Sequence, residues 1–203
     1  MKGGNMRRSA RFWGLGAALA LAAALMLLTT FASAASSGGA AHVRWDIMST
    51  TGIPPAPLNP GGHASAMAPD GDTITLTGSG HFVAPANGGG SAGVDGGGTW
   101  SASSGGSGTY HVTALVSWQR ANDQANVGFV DNIGGGTRTN GTAILKIAFS
   151  DGSSGVLTLA CHGPGSLPGI FEGIATTKGF KTYYEAEEPA PGVDANRTLF
   201  HVR

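Results

Sequence analysis

Apolar and polar side chains alternate with a period of two along much of this chain, which marks strands, because successive strand residues point to opposite faces. In residues 72–83 (DTITLTGSGHFV), Ile74, Leu76 and Phe82 share one face, while Thr73, Thr75, Thr77, Ser79 and His81 share the other. Residues 108–118 (GTYHVTALVSW) repeat the pattern, with Tyr110, Val112, Ala114, Val116 and Trp118 opposite His111, Thr113, Leu115 and Ser117. Residues 142–150 place Ala143, Leu145, Ile147 and Phe149 together. Asp151-Gly152-Ser153-Ser154-Gly155 then turns the chain, and residues 156–162 return as an antiparallel partner. Gly163-Pro164-Gly165 ends that hairpin. Trp100 opens another strand, residues 170–175 and 179–184 read as two more, and residues 197–202 as a closing one. The polar run 120–126 has room for a turn of helix.

Seven or eight short strands separated by glycine turns predict a mainly β domain built as an antiparallel meander. A small barrel fits best, because the order is sequential and closure removes exposed edges; a two-sheet β-sandwich is the alternative. Two stretches lack the alternation. Residues 35–71 are rich in Ser, Gly, Ala and Pro around Ile53-Pro54-Pro55-Ala56-Pro57, which is linker chemistry, with only Val43, Trp45 and Ile47 alternating as a short strand. Residues 85–98 (PANGGGSAGVDGGG) can bury almost nothing and are expected to form a mobile loop.

The first 34 residues follow a third pattern. Lys2, Arg7, Arg8 and Arg11 precede a continuous apolar run, residues 13–28, and Ala32-Ser33-Ala34 supplies small residues before Ala35. That order of basic, apolar and small-residue parts is the form of a cleavable signal peptide, helical in its apolar core, so the chain is expected to be secreted or extracytoplasmic. Thr29, Thr30 and Ser33 interrupt the run before it reaches the roughly 20 residues a span needs, so no stable membrane insertion is expected after cleavage. The organisation is then 1–34 signal peptide, 35–71 linker and 72–203 single β domain.

Composition narrows the partners. Eight basic and twelve acidic residues follow Ala34, a formal charge of −4 without a Lys/Arg cluster, which excludes a nucleic-acid footprint. Glycine supplies 35 of the 203 residues, a share that favours tight turns over helices. Cys161 is the single cysteine, so no intramolecular disulfide can staple the fold.

Candidate chemistry is sparse. The glycine-rich run contains chance matches to G-x-G-x-x-G and G-x-S-x-G, but neither has the strand before and helix after that its chemistry requires. Cys161-His162 could offer a thiolate and an imidazole to a metal, yet adjacent strand residues face opposite ways, and Cys161 shares its face with Leu157 and Leu159 as a buried, inert thiol. Asp70-Gly71-Asp72 reads as a turn. Glu172 interrupts an apolar stretch, and alternation against Phe171 assigns it to the solvated face. The six histidines, His42, His63, His81, His111, His162 and His201, are scattered singly.

The segments DGSSGVLTLACHGPG, IFEGIATTKGF and NRTLFHV carry a resemblance. Over residues 98–202 the chain resembles a family of uncharacterised exported bacterial β-proteins, with FEGIxxxKGF and NRTLFH as the most specific pieces. The glycine-flanked F-x-G-I strand is similar, more distantly, to the allene oxide cyclase and dirigent class, which implies a small antiparallel barrel. Neither resemblance supplies catalytic residues.

Three functional readings follow. The leading one is a non-catalytic exported protein that binds a small apolar molecule or a cell-surface partner, with no cofactor. The second is a secreted enzyme of cyclase, isomerase or lyase type, with His111 and Glu172 as acid and base across a barrel cavity. The third is a metal-binding exported protein using Cys161 and His162. Whatever the function, the mature chain is expected to begin at Ala35, and intact-mass measurement of secreted material checks it.

Overall fold

The computed structural model describes residues 39–51, 55–187 and 197–203. The expected signal peptide, Ile53 and Pro54, and residues 188–196 lie outside the described residues. Among those described, every regular element is a strand. In chain order they are β1 (Ala41–Thr50), β2 (Pro57–Pro60), β3 (Ala64–Met67), β4 (Thr73–Leu76), β5 (Ser79–Ala84), β6 (Val94–Ala102) and β7 (Ser107–Asp123). There follow β8 (Val130–Asp131), β9 (Thr137–Phe149), β10 (Ser154–Cys161), β11 (Gly173–Lys178), β12 (Lys181–Tyr183), β13 (Glu185–Glu187) and β14 (Thr198–Val202).

Six of these strands close the expected barrel. Around the ring the order is β1, β5, β6, β7, β9 and β14, each antiparallel to the next, and β14 returns to β1 with Trp45 opposite Phe200. The chain thus runs round the ring in sequence order, with the remaining strands as excursions. All of those excursions except β2 and β8, which pair with each other beside β1, join into a second hydrogen-bonded circuit: β4 pairs with β6, β10 with β9, and β11 with β10. The extended run of β12 and β13 pairs first with β11 and then with β3, and β3 returns to β4.

The lumen is filled by side chains. Phe82, Trp118 and Phe200 pack inside with their rings steeply inclined, centroids 5.6 and 4.6 Å apart, and Trp45 is fully buried in the same core. Trp100 and Tyr110 pack on Phe149 at 5.8 and 6.2 Å. Aromatic side chains bury about 150–250 Å² each, so this cluster supplies much of the apolar burial that offsets the backbone entropy of a glycine-rich chain.

The expected linker is part of the domain. Residues 41–67 contribute β1, β2 and β3, and β1 lies between β14 and β5 with Val43, Trp45 and Ile47 buried. Its alternation is short because both faces are covered: Asp46 and Met48, on the other face, are buried too. The expected mobile loop is also shorter than its composition suggests, since residues 94–98 belong to β6. There the glycines answer a steric demand. β6 is paired with β5 as far as Gly97 and with β4 from Trp100, and a Cβ on Gly98 would lie 1.9 Å from the Thr77 carbonyl oxygen. β9 divides its edge in the same way, between β14 at Thr137–Thr139 and β10 from Gly141, where a Cβ would lie 2.4 Å from the Gln119 oxygen.

β7 also departs from simple alternation. Register shifts follow Val112, Leu115 and Arg120, so Tyr110, Val112, Leu115 and Trp118 point inward while Val116 is exposed. Each bulge adds a residue and tightens the twist, which bends this 17-residue strand around both circuits. It also carries β7 through the polar run to Asp123, where the sequence allowed a turn of helix.

Asp70-Gly71-Asp72 forms the expected turn, and Asp72 locks it to distant strands. Its carboxylate accepts from Ser103 Oγ at 2.9 Å, Ser104 N and Oγ at 2.8 Å, Lys181 Nζ at 2.9 Å and Tyr183 Oη at 2.8 Å. Burial alone would raise its pKa, but the Lys181 and Ser104 donors outweigh it and hold the carboxyl well below the usual range.

The fork glycines give a direct test. Gly98→Ala drives a methyl into backbone and is expected to cost about 3 kcal/mol or more. Gly39→Ala, with nothing within 4 Å of the added carbon, is expected to be near neutral. Urea unfolding of both variants beside the parent measures the difference.

Candidate functional site

Where β9 changes partner, the end of β10 meets the start of β14. Gly163-Pro164 stops β10, because proline offers no N–H to a ladder. The junction is held by side chains instead. Glu172, just before β11, accepts from the backbone N–H of His162 with Oε2 at 2.5 Å and from that of Thr198 with Oε1 at 2.7 Å. Thr198 Oγ1 donates to the Ala160 carbonyl at 2.7 Å, and Asn140 Oδ1 accepts from Gly163 N at 2.8 Å. Gln124 Nε2 donates to Cys161 Sγ at 3.2 Å.

A cavity of about 340 Å³ opens beside this junction. Met48, Leu58, Phe129 and Leu199 give it apolar walls, and Glu172, Gln124 and Arg197 give it a polar end. Its walls come from β1, β2, the loop after β7, the end of β10 and the start of β14, so residues far apart in sequence form one surface.

The structure brings three of the four candidate residues to this cavity. Cys161 is buried with Leu157 and Leu159, as its alternation implies, and burial together with the Glu172 charge pushes its thiol up, away from thiolate. His162 points the other way, is exposed, and its Nδ1 donates to the Ile170 carbonyl at 2.6 Å. Glu172 corrects the expectation of a solvated side chain: it is half-buried, with its carboxyl turned onto the two backbone N–H groups. Burial raises that carboxyl to about 7, against the opposing pull of the Thr198 and His162 N–H groups. The fourth candidate, His111, lies on the exposed face of β7 between Gly97 and Ala148 and takes no part in the cavity. The acid–base pairing of His111 with Glu172 across a barrel cavity is therefore not formed.

Cys161 and His162 do not form a metal site, since their side chains leave the strand on opposite faces; among the described residues no cluster of three His, Cys, Asp or Glu side chains could hold an ion. Sequence reasoning passed over Asn140, Gln124 and Thr198. The one signal for them is Asn140-Gly141 inside an apolar strand, a pair that reads as a turn and here marks the fork. Comparison with protein-family models, curated proteins and solved structures returns no match.

Glu172 makes stability depend on pH. The folded state holds its proton more tightly than the unfolded chain, so its contribution is full below about pH 4.5 and is lost as pH rises through about 7. At 1.36 kcal/mol per pKa unit the expected loss is roughly 3 kcal/mol. Asp72 titrates in the opposite sense, in stronger acid outside this window. Urea unfolding across the window should show the decline in the parent and a flat profile in Glu172→Gln.

Proposed function

We propose that this chain is an exported, non-catalytic binding protein whose ligand is a small, mainly apolar molecule with one polar end. The observation that carries this reading is the cavity at the β10–β14 junction, with Met48, Leu58, Phe129 and Leu199 around it and the Glu172 carboxyl at one end. Its volume lies at the low end of the range for small-molecule sites, about 300–1,000 Å³. The filled barrel lumen directs the ligand to this cavity. Each Glu172 oxygen already serves a backbone N–H, and the Cys161 thiol is capped by Gln124, so the polar groups are arranged to fix an orientation.

A second reading is kept by one observation, the Glu172 carboxyl raised to about 7, which suits proton transfer in a cyclase-, isomerase- or lyase-type enzyme. That enzyme would rely on Glu172 without His111. The two readings differ in what happens to the bound molecule.

Indole, apolar with a single N–H donor, is the probe. It is expected to raise the melting temperature of the parent saturably and to leave that of Leu58→Trp, in which the new ring occupies the cavity, unchanged. Bound molecules co-purifying with the protein should be recovered chemically intact by mass spectrometry after incubation; conversion to an isomer or elimination product would favour the enzyme. An equal indole response in parent and variant would place binding elsewhere and end the proposal for this cavity.

A further inference from the structure

The outer wall of the barrel carries a different constellation, independent of the cavity at Glu172. One in-register row crosses five adjoining strands: Asp95 on β6, His81 on β5, Arg44 on β1, His201 on β14 and Arg138 on β9. Each neighbours an inward residue (Val94, Phe82, Trp45, Phe200 and Thr139), so alternation turns all five outward. None is close to the others in sequence, and barrel closure alone lines them up.

His201 is the unusual member. It is fully buried, and its Nε2 bonds to Asp131 Oδ2 at 2.7 Å. The other Asp131 oxygen accepts from the N–H groups of Ile133 and Gly134 at 3.0 and 2.9 Å. Burial would raise the Asp131 carboxyl, but the Gly134 N–H and the His201 ring overcome it, so it stays ionised and the Nε2 proton remains on the histidine. Nδ1 is then the free nitrogen of the ring. Among the described residues it has no hydrogen-bond partner. A buried polar atom left unpaired is destabilising, so a ligand that pairs it is favoured.

A cavity of about 410 Å³ lies against this residue. Arg44 borders it and is fixed by Asp46, with Nε to Oδ2 and Nη2 to Oδ1 both at 2.8 Å. Two of its five N–H donors are so engaged, and three stay clear of that pairing. Arg203, held by its backbone N–H to the His42 carbonyl at 2.9 Å, borders the same space, as do His42 and His81. The charges facing His201 are Arg44 and Asp46 from β1, Arg138 from β9, Asp131 from β8, Arg203 at the end of β14, and Asp95 beyond His81. With the histidines neutral, three arginines stand against three aspartates. A proton on His201 makes the site cationic.

We infer that this second cavity binds a small oxyanion, a carboxylate or a phosphoryl or sulfuryl group, together with one proton taken up by Nδ1 of His201. The imidazolium then donates from Nε2 to Asp131 and from Nδ1 to the oxyanion, while Arg44 supplies a second donor. No covalent bond changes, and the proton comes from solvent or from the ligand acid itself. Asp95 at the rim opposes the anion, and Arg203 assists it.

Titration calorimetry with sodium sulfate and with sodium acetate tests this at low ionic strength, in two buffers of different ionisation enthalpy. The expected result is one site per chain, uptake of about one proton, and binding that weakens as pH rises. The tighter of the two anions identifies the ligand group as sulfuryl or phosphoryl on one hand, or carboxylate on the other. Asp95→Asn, at an exposed side chain, is expected to bind severalfold tighter, Arg203→Gln severalfold weaker, and His201→Gln to lose the proton uptake. Because Asp95 and Arg203 are exposed, their variants keep the test decisive even if His201→Gln does not fold. The inference is overturned if neither anion saturates in the millimolar range, or if saturation occurs without proton uptake and is unchanged in Asp95→Asn.

Discussion

Barrel closure in this chain depends on strands that change partner part-way along one edge. β6 and β9 each give part of an edge to the six-stranded ring and part to the outer circuit, while β7 spans both between them. At the β6 exchange two strands approach the same edge, and the backbone there has no room for a side chain, a demand Gly98 meets; at the β9 exchange Gly141 lies against the Gln119 carbonyl of β7, on the opposite edge. The glycine content is thus partly a requirement of topology, and the entropy it costs is offset by the aromatic core that the two circuits enclose.

A partner exchange also leaves polar backbone without a ladder, and an unpaired buried N–H is expensive. Glu172, Asn140 and Thr198 are the chain's answer at the β9 fork. Of these, Glu172 also forms part of the polar end of the adjacent cavity, so one structural necessity creates a binding feature as a by-product. The outer row around His201 arises differently. Its residues are positioned by the register of closure, and Asp131 then folds over it from a separate segment.

What could be read from the chain was what depends on neighbours in sequence. The hairpin of β9 and β10 was legible because alternation and turn chemistry agree over residues 142–162, and the closing strand 198–202 was legible as an apolar end. Residues 41–67 were misread because β1 is covered on both faces, which erases the period-two signal. Residues 94–98 were misread because a strand made of glycine has no side chains to alternate. In β7 the bulges after Val112 and Leu115 exchange the faces of Leu115 and Val116, and no local signal announces them. Alternation gave Glu172 the wrong surroundings for a related reason: its carboxyl answers two N–H groups, one of them 26 residues away. Of the candidate site, Cys161, His162 and Glu172 were visible as residues, but their company was not.

The pairing of β1 with β14 has a kinetic meaning. It joins residues 43–47 to residues 198–202, so the ring cannot lock until segments more than 150 residues apart have met. The β9–β10 hairpin has a short connection and can form in about 1–10 μs, whereas contacts of such long sequence separation place a fold among the slow ones, at milliseconds to seconds. Before that seam closes, the facing edges of β1 and β14 lie bare. The interval between hairpin and seam is therefore when this chain is most exposed to self-association.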